Sequence, residues 1–231
     1  MKSGVISQPN YVPWLGYFQL ITAGDVFVYL DDVQFTYRDW RNRNVIAIDG
    51  VHTWLTIPVL KENASRKLIR DVLVDNSVDW GSRHLSMITK AYRECKHYDE
   101  ICCLLSPYFD KKHKWLVDVT IGLTQSMLEY LSENLKTYRA SELCASGSAG
   151  EHLVQICQKL NIDKYISGPA ATSYIQKNMF SEAGIHLEYF TYKNTIYPRN
   201  GLEKAPNLSI IDLLMYHGKN SKYYLKDIQN A

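Results

Sequence analysis

The run Asp25-Val26-Phe27-Val28-Tyr29-Leu30 restricts the fold more than any other stretch of the chain. Side chains alternate faces along a strand, so an uninterrupted apolar run needs apolar cover on both sides. A parallel sheet layered between helices supplies it. The preceding residues agree. Gly4-Val5-Ile6-Ser7 is a short apolar run stopped by Pro9, and Pro13–Ile21 carries apolar residues at helical spacing before closing at Ala23-Gly24. Strand, helix and strand make a βαβ unit. Its polar residues cluster just past the strand ends, where open parallel sheets take ligands.

Further along, Val45–Ile48 and Thr53–Val59 flank Asp49-Gly50, which predicts a hairpin. Leu68–Val74 reads as another strand. From Asp79 to about Leu135 the spacing turns helical, with Trp80, His84, Met87, Ile88, Ala91 and Tyr92 on one face and a second helix over Lys114–Asn134. Strand and helix then alternate again: a helix over Glu151–Leu160, a strand and turn at Lys164–Gly168, a helix over Ala171–Ala183 and a strand at Ile185–Phe190. Ser209-Ile210-Ile211-Asp212 fits a capping box for a last helix that ends at Gly218. The expectation is one α/β domain over residues 1–218 with a helical insertion at about 79–135, and a solvated, mobile tail over 219–231.

Composition narrows the function. With 26 basic and 24 acidic side chains the net charge is +2, so no general polyanion signal exists. Arg66, Lys67 and Arg70 form only a small basic patch, and no nucleic-acid partner is expected. No signal-peptide core and no membrane-length apolar stretch is present. Cys95, Cys102, Cys103, Cys144 and Cys157 are odd in number and unpatterned, as reduced cytoplasmic thiols would be. Cys95, His97, Cys102, Cys103 and His113 lack metal-ligand spacing, and no metal site is expected. There is no phosphate-binding Walker sequence, dinucleotide fingerprint or serine-nucleophile elbow.

Seventeen Tyr and five Trp combine stacking faces with hydrogen-bonding edges, which suits sugar or nucleotide recognition as well as ordinary cores. Two stretches concentrate them with polar groups. In the first, Gln8, Asn10, Tyr11 and Tyr17 offer neutral hydrogen bonds and Trp14 a stacking surface, in a loop stiffened by Pro9 and Pro13. For Trp14 and Phe18 packing against the sheet is the preferred reading. In the second, Asp31 and Asp32 leave the apolar strand toward opposite faces, followed by Gln34 and then Trp40-Arg41-Asn42-Arg43-Asn44. Guanidinium forks suit phosphate or carboxylate, and amides suit hydroxyls. Ser167-Gly168 lies in a strand-to-helix turn, an anion-binding geometry, ahead of Tyr174. Asp31, Asp32, Tyr17 and His84 are the candidate catalytic groups. A lone helical His such as His84 is more often structural.

Gln8-Pro9-Asn10-Tyr11-Val12-Pro13-Trp14-Leu15-Gly16-Tyr17-Phe18, Asp31–Phe35, Trp40–Asn44, Trp54–Val59, Tyr165–Gly168 and Leu208–Leu214 together resemble the WbqC-like family. Ser7 departs from the His or Met that many members carry before Gln-Pro. The resemblance implies a place in O-antigen and related polysaccharide biosynthesis. It further implies transfer of glycine or a small acyl group to the amino group of a nucleotide-linked or lipid-linked amino sugar, with ATP and Mg²⁺ as one route to donor activation. The alternative it leaves open is a non-catalytic sugar-nucleotide-binding or scaffold subunit. The order of the first strands is also similar to that of adenylyl-transferring enzymes of the pantothenate-synthetase type, which implies a Rossmann-like parallel sheet in nucleotidylyltransferase-like order. Trp14-Leu15-Gly16-Tyr17 occupies the place of their His-x-Gly-His motif without either histidine.

Overall fold

The computed structural model describes residues 1–62, 64–147, 149–169, 177–192, 195–199 and 207–226. Its centre is a five-stranded sheet of β1 (Ser3–Ser7), β2 (Val26–Tyr29), β5 (Lys136–Arg139), β6 (Lys164–Ser167) and β7 (His186–Tyr189). The order across the sheet is β5-β2-β1-β6-β7 and every pairing is parallel. The chain winds outward from β1 in one direction through β2 and β5, then returns to β1's other side with β6 and β7. This is a Rossmann-like α/β fold, and the winding reverses between β1 and β6.

The period of two along the strands divides the interior into two cores. Val5, Phe27, Tyr29 and Ile166 face one side, with α1 (Leu15–Ile21), α4 (Leu116–Tyr130) and α7 (Ile210–His217). Ile6, Val26, Val28 and Tyr165 face the other, against α5 (Ala149–Lys159) and Phe180 of α6 (Lys177–Glu182). Register enforces the split, since Val5 pairs with both Phe27 and Ile166 and like faces stay together. The uninterrupted apolar run at β2 is thereby explained, because all four of its residues are buried.

β3 (Arg43–Ile48) and β4 (Val51–Thr56) form a separate antiparallel hairpin. Asp49 and Gly50 both adopt left-handed backbone, with φ of 51° and 77°, as a two-residue hairpin turn requires. α2 (Trp80–Tyr92) packs beside it, and α3 (Tyr98–Phe109) packs on α2. Pro107 sits inside α3 and cannot donate to the Cys103 carbonyl; the Ser106 hydroxyl takes that carbonyl instead at 3.3 Å.

Three expectations need correction, and one strand was not expected. Leu68–Val74 is a short 3₁₀ turn at Ile69–Asp71 with isolated bridges on either side rather than a strand, because the turn interrupts its pairing with the segments at 31–35, 58–60 and 114–116. β5 was not predicted, since an edge strand reading Lys-Thr-Tyr-Arg has no fully buried face to pattern it. The chain beyond Lys219 is folded through Lys226. Its last helix α8 (Ser221–Lys226) buries Leu225, and Gln19 of α1 donates to the Tyr224 carbonyl at 3.3 Å. The capping box is only half made. Ser209 accepts from the Ile211 amide, but Asp212 turns inward and is fully buried. It accepts from Tyr92 at 2.9 Å, from Tyr197 at 2.7 Å and from Arg199 at 2.7 Å. Among the described residues no helix is long and apolar enough to cross a membrane.

Candidate functional site

The winding reverses between β1 and β6, the place where open parallel sheets take ligands, and the N-terminal motif leaves the carboxyl end of β1 there. Gln8 follows β1 directly, and its side-chain oxygen accepts from the Arg41 guanidinium. Arg41 also pairs with Asp39 at 2.7 Å. Tyr17, the third residue of α1, donates its hydroxyl to the Gln8 carbonyl at 3.1 Å. Burial pushes the Tyr17 hydroxyl well above its ordinary range, with Tyr29 and Tyr192 adding to the effect and Arg41 opposing it. Tyr17 is therefore a protonated donor at neutral pH rather than a base.

Trp14 caps α1 with its indole folded over Gly16, where any side chain would collide with the ring. It packs against Tyr192 at 5.0 Å between ring centres. Tyr192 reaches across from the segment after β7, and a side chain on Gly168 would meet its hydroxyl at 3.5 Å. Trp14, Tyr192 and the Ser167-Gly168 turn thus converge from three elements. Tyr192 carried no signal in sequence, lying far from both motifs.

The loop from Gln8 to Pro13 is held by the hairpin's entry. Tyr11 donates its backbone amide to the Trp40 carbonyl at 2.9 Å. Asn44 is buried and donates to the carbonyls of both Tyr11 and Val12, at 3.1 and 3.0 Å. These bonds bracket Val12 at φ 34°, a left-handed conformation that a β-branched residue rarely takes. Such strain persists only where surroundings over-determine it, and it clusters at functional loops. Asn42 is also buried and donates to the Ile57 carbonyl at 2.9 Å. Both side-chain NH₂ groups, expected to read hydroxyls, bond backbone carbonyls, while the Asn42 side-chain oxygen has no hydrogen-bond partner among the described residues.

The two carboxylates lie two and three residues past the end of β2 and take different partners. Asp31 is fully buried and both its oxygens are engaged, by Arg139 at 2.7 and 2.8 Å and by the Ser141 amide and hydroxyl at 3.0 and 2.9 Å. It ties the end of β2 to the end of β5. Asp32 faces the other core and bonds His152 of α5 at 3.1 Å, with both side chains only 11–12% exposed. Neither Arg139 nor His152 was foreseen, because each lies over a hundred positions from its partner.

The remaining candidates lie elsewhere. His84 is buried in α2 among Trp80 and Phe109, its ring bonded to the Thr56 backbone while Nδ1 accepts the Tyr11 hydroxyl at 2.7 Å. Burial lowers its pKa to about 4, so it is neutral and committed to packing rather than proton transfer. Gln34 is exposed and donates to the Ser65 carbonyl at 2.6 Å. Arg43 lies over the Trp54 ring at 4.2 Å, with half-exposed Trp40 beside it at 5.7 Å. Asn10 is partly buried, and its side-chain oxygen has no hydrogen-bond partner among the described residues. Tyr174 lies outside the described residues. No group of three or more metal-binding side chains gathers among those described. A cleft of about 380 Å³ between α4 and β5 reaches Tyr29 and Arg139.

The fold is that of a Rossmann-like α/β protein, with polar and aromatic groups placed around the end of β1. The chain belongs to the WbqC-like protein family, whose model matches residues 8–224. It is also 34% identical over 228 residues to "Uncharacterized protein Rv1507c" of Mycobacterium tuberculosis, with 98% of each chain covered. No solved structure matches the chain.

Proposed function

We propose that the protein joins glycine or another small acyl group to the amino group of an activated amino sugar in surface-polysaccharide biosynthesis. The observation that carries this reading is the placing of two groups around the buried Tyr17: Arg41, bonded to Gln8 and Asp39, and Tyr192, packed on Trp14. A guanidinium and an amide beside two aromatic faces suit a diphosphate or carboxylate joined to a ring. Membership of the WbqC-like family supports the same pathway.

In this reading the amine nitrogen attacks the acyl carbonyl carbon, the donor's leaving group departs and the amine proton passes to a base. Asp31 is unsuited, since both its oxygens are already bonded. The Asp32–His152 pair is the better base: the imidazole takes the proton and the carboxylate steadies the cation that results. Arg41 holds the phosphate or carboxylate, and Trp14 stacks on the ring.

The test is to incubate purified protein with nucleotide-linked amino sugars, glycine and ATP and to measure product mass. A gain of one glycyl group that is lost in Asp32→Asn and His152→Gln, with binding retained, supports the reading. Wild-type binding without any mass gain across acceptors and donors would instead favour a non-catalytic sugar-nucleotide-binding subunit.

A further inference from the structure

We propose that the half-exposed tryptophans Trp40 and Trp54 stack the base of a nucleoside diphosphate, so that the amino sugar arrives linked to a nucleotide and not to a lipid. The proposal rests on the transfer reading above and names the class of that reading's acceptor.

The first argument is where the two rings stand. The register of β3 with β4 puts Trp54 opposite Val45 on one face of the hairpin, with Arg43 two residues along that face. Asn44, Ile46 and Leu55, on the opposite face, are buried. Trp54 therefore points away from them and stays 44% exposed. Trp40, in the turn before β3, is 41% exposed, and its ring centre lies 5.7 Å from that of Trp54 at an interplanar angle of 35°. Two large rings left side by side and nearly half in water mark a contact surface for a flat partner. Arg43 lies over the Trp54 ring at 4.2 Å and fixes it before any ligand arrives.

The second argument is charge. Arg41 is already ion-paired to Asp39 at 2.7 Å, so it cannot neutralise a diphosphate alone. Arg43 and the exposed Arg38, two residues before Trp40, have no carboxylate partner among the described residues. Unpaired cations beside aromatic faces match a ligand that is both flat and anionic. A neutral sugar would leave the arginines unused. A second copy of the chain, docked about a two-fold axis, would set the same cations against themselves. The patch is also tied to the transfer site. Trp40 directly precedes Arg41, and its carbonyl accepts the Tyr11 amide at 2.9 Å. Ser209 bridges to Trp14 and donates its amide to the Val45 carbonyl at 2.8 Å, so bonded segments run from Trp54 to Trp14. A nucleotide-linked sugar carries base, diphosphate and sugar in that order, which Trp40, Arg41 and Trp14 match.

The experiment is calorimetric titration of the full-length protein with uridine and adenosine diphosphates, and with inorganic diphosphate and ribose 5-phosphate as controls that lack a base. At least one nucleotide should bind, and the controls should bind at least about tenfold more weakly. Trp40→Ala, at an exposed turn position, should weaken the nucleotide by about tenfold with the melting temperature unchanged, and Trp40→Phe should keep most of the affinity. Arg38→Gln and Arg43→Gln should each weaken it at low salt and less so at high salt. Silence with both nucleotides, equal binding of inorganic diphosphate, or indifference to Trp40→Ala overturns the proposal. So does a dimer in solution that Trp40→Ala disperses, because a second copy would then cover the patch. If the transfer assay yields product while both nucleotides are silent, the stacking site fails and the transfer reading stands. If a nucleotide binds as expected and no acceptor gains mass, the site stands and the transfer reading fails.

Discussion

Replacing Asn44 by alanine should destabilise the protein far more than a polar-to-alanine change usually does. The side chain is 1% exposed and makes three hydrogen bonds. It donates to the carbonyls of Tyr11 and Val12, at 3.1 and 3.0 Å, and accepts the Val45 amide at 2.8 Å. Alanine leaves both carbonyls buried without that donor, at about 1–3 kcal/mol for each group. Part of this returns when Val12 relaxes from φ 34°, a conformation worth roughly 1–3 kcal/mol of strain. The net expectation is a loss of about 3 kcal/mol, a large share of the 5–15 kcal/mol typical of a folded domain. Urea unfolding followed by tryptophan fluorescence measures it directly, with Gln34→Ala as the exposed control. Hydrogen exchange should also show the loop from Gln8 to Pro13 opening in the variant. A loss below about 0.5 kcal/mol, the range of ordinary surface changes, would refute the claim that Asn44 holds the strained loop.

Three other outcomes follow from buried charge. The His84 pKa of about 4 in the folded state lies below 6.5 in the unfolded chain, so stability is full above pH 6.5 and is lost as pH falls toward 4. Between pH 6.5 and 5 this amounts to about 2 kcal/mol, and unfolding midpoints of wild type and His84→Gln should converge over that interval. Asp31→Asn removes the carboxylate that pins Arg139, which is itself one-third exposed, so the cost should be about 2 kcal/mol, below that of a fully buried pair. Hydrogen exchange should then quicken at β5, the edge strand that this contact secures. Asp212→Asn leaves the Arg199 charge buried without its counter-ion and should cost about 3–5 kcal/mol, read as a lowered melting temperature.

Sequence alone determined whatever depends on local pattern. The apolar run at β2 demands cover on both faces, and Asp49-Gly50 demands left-handed turn geometry. The family motifs were legible for the same reason, being contiguous strings. What the polar residues do with their bonds was decided only by tertiary structure. Asn42, Asn44 and His84 look like ligand groups until folding brings backbone carbonyls or a tyrosine hydroxyl against them. Arg139, His152 and Tyr192 look like nothing until β5, α5 and the segment after β7 carry them to Asp31, Asp32 and Trp14. Local periodicity fixes which face a side chain occupies. Its partner is set by long-range packing, which no window along the chain contains.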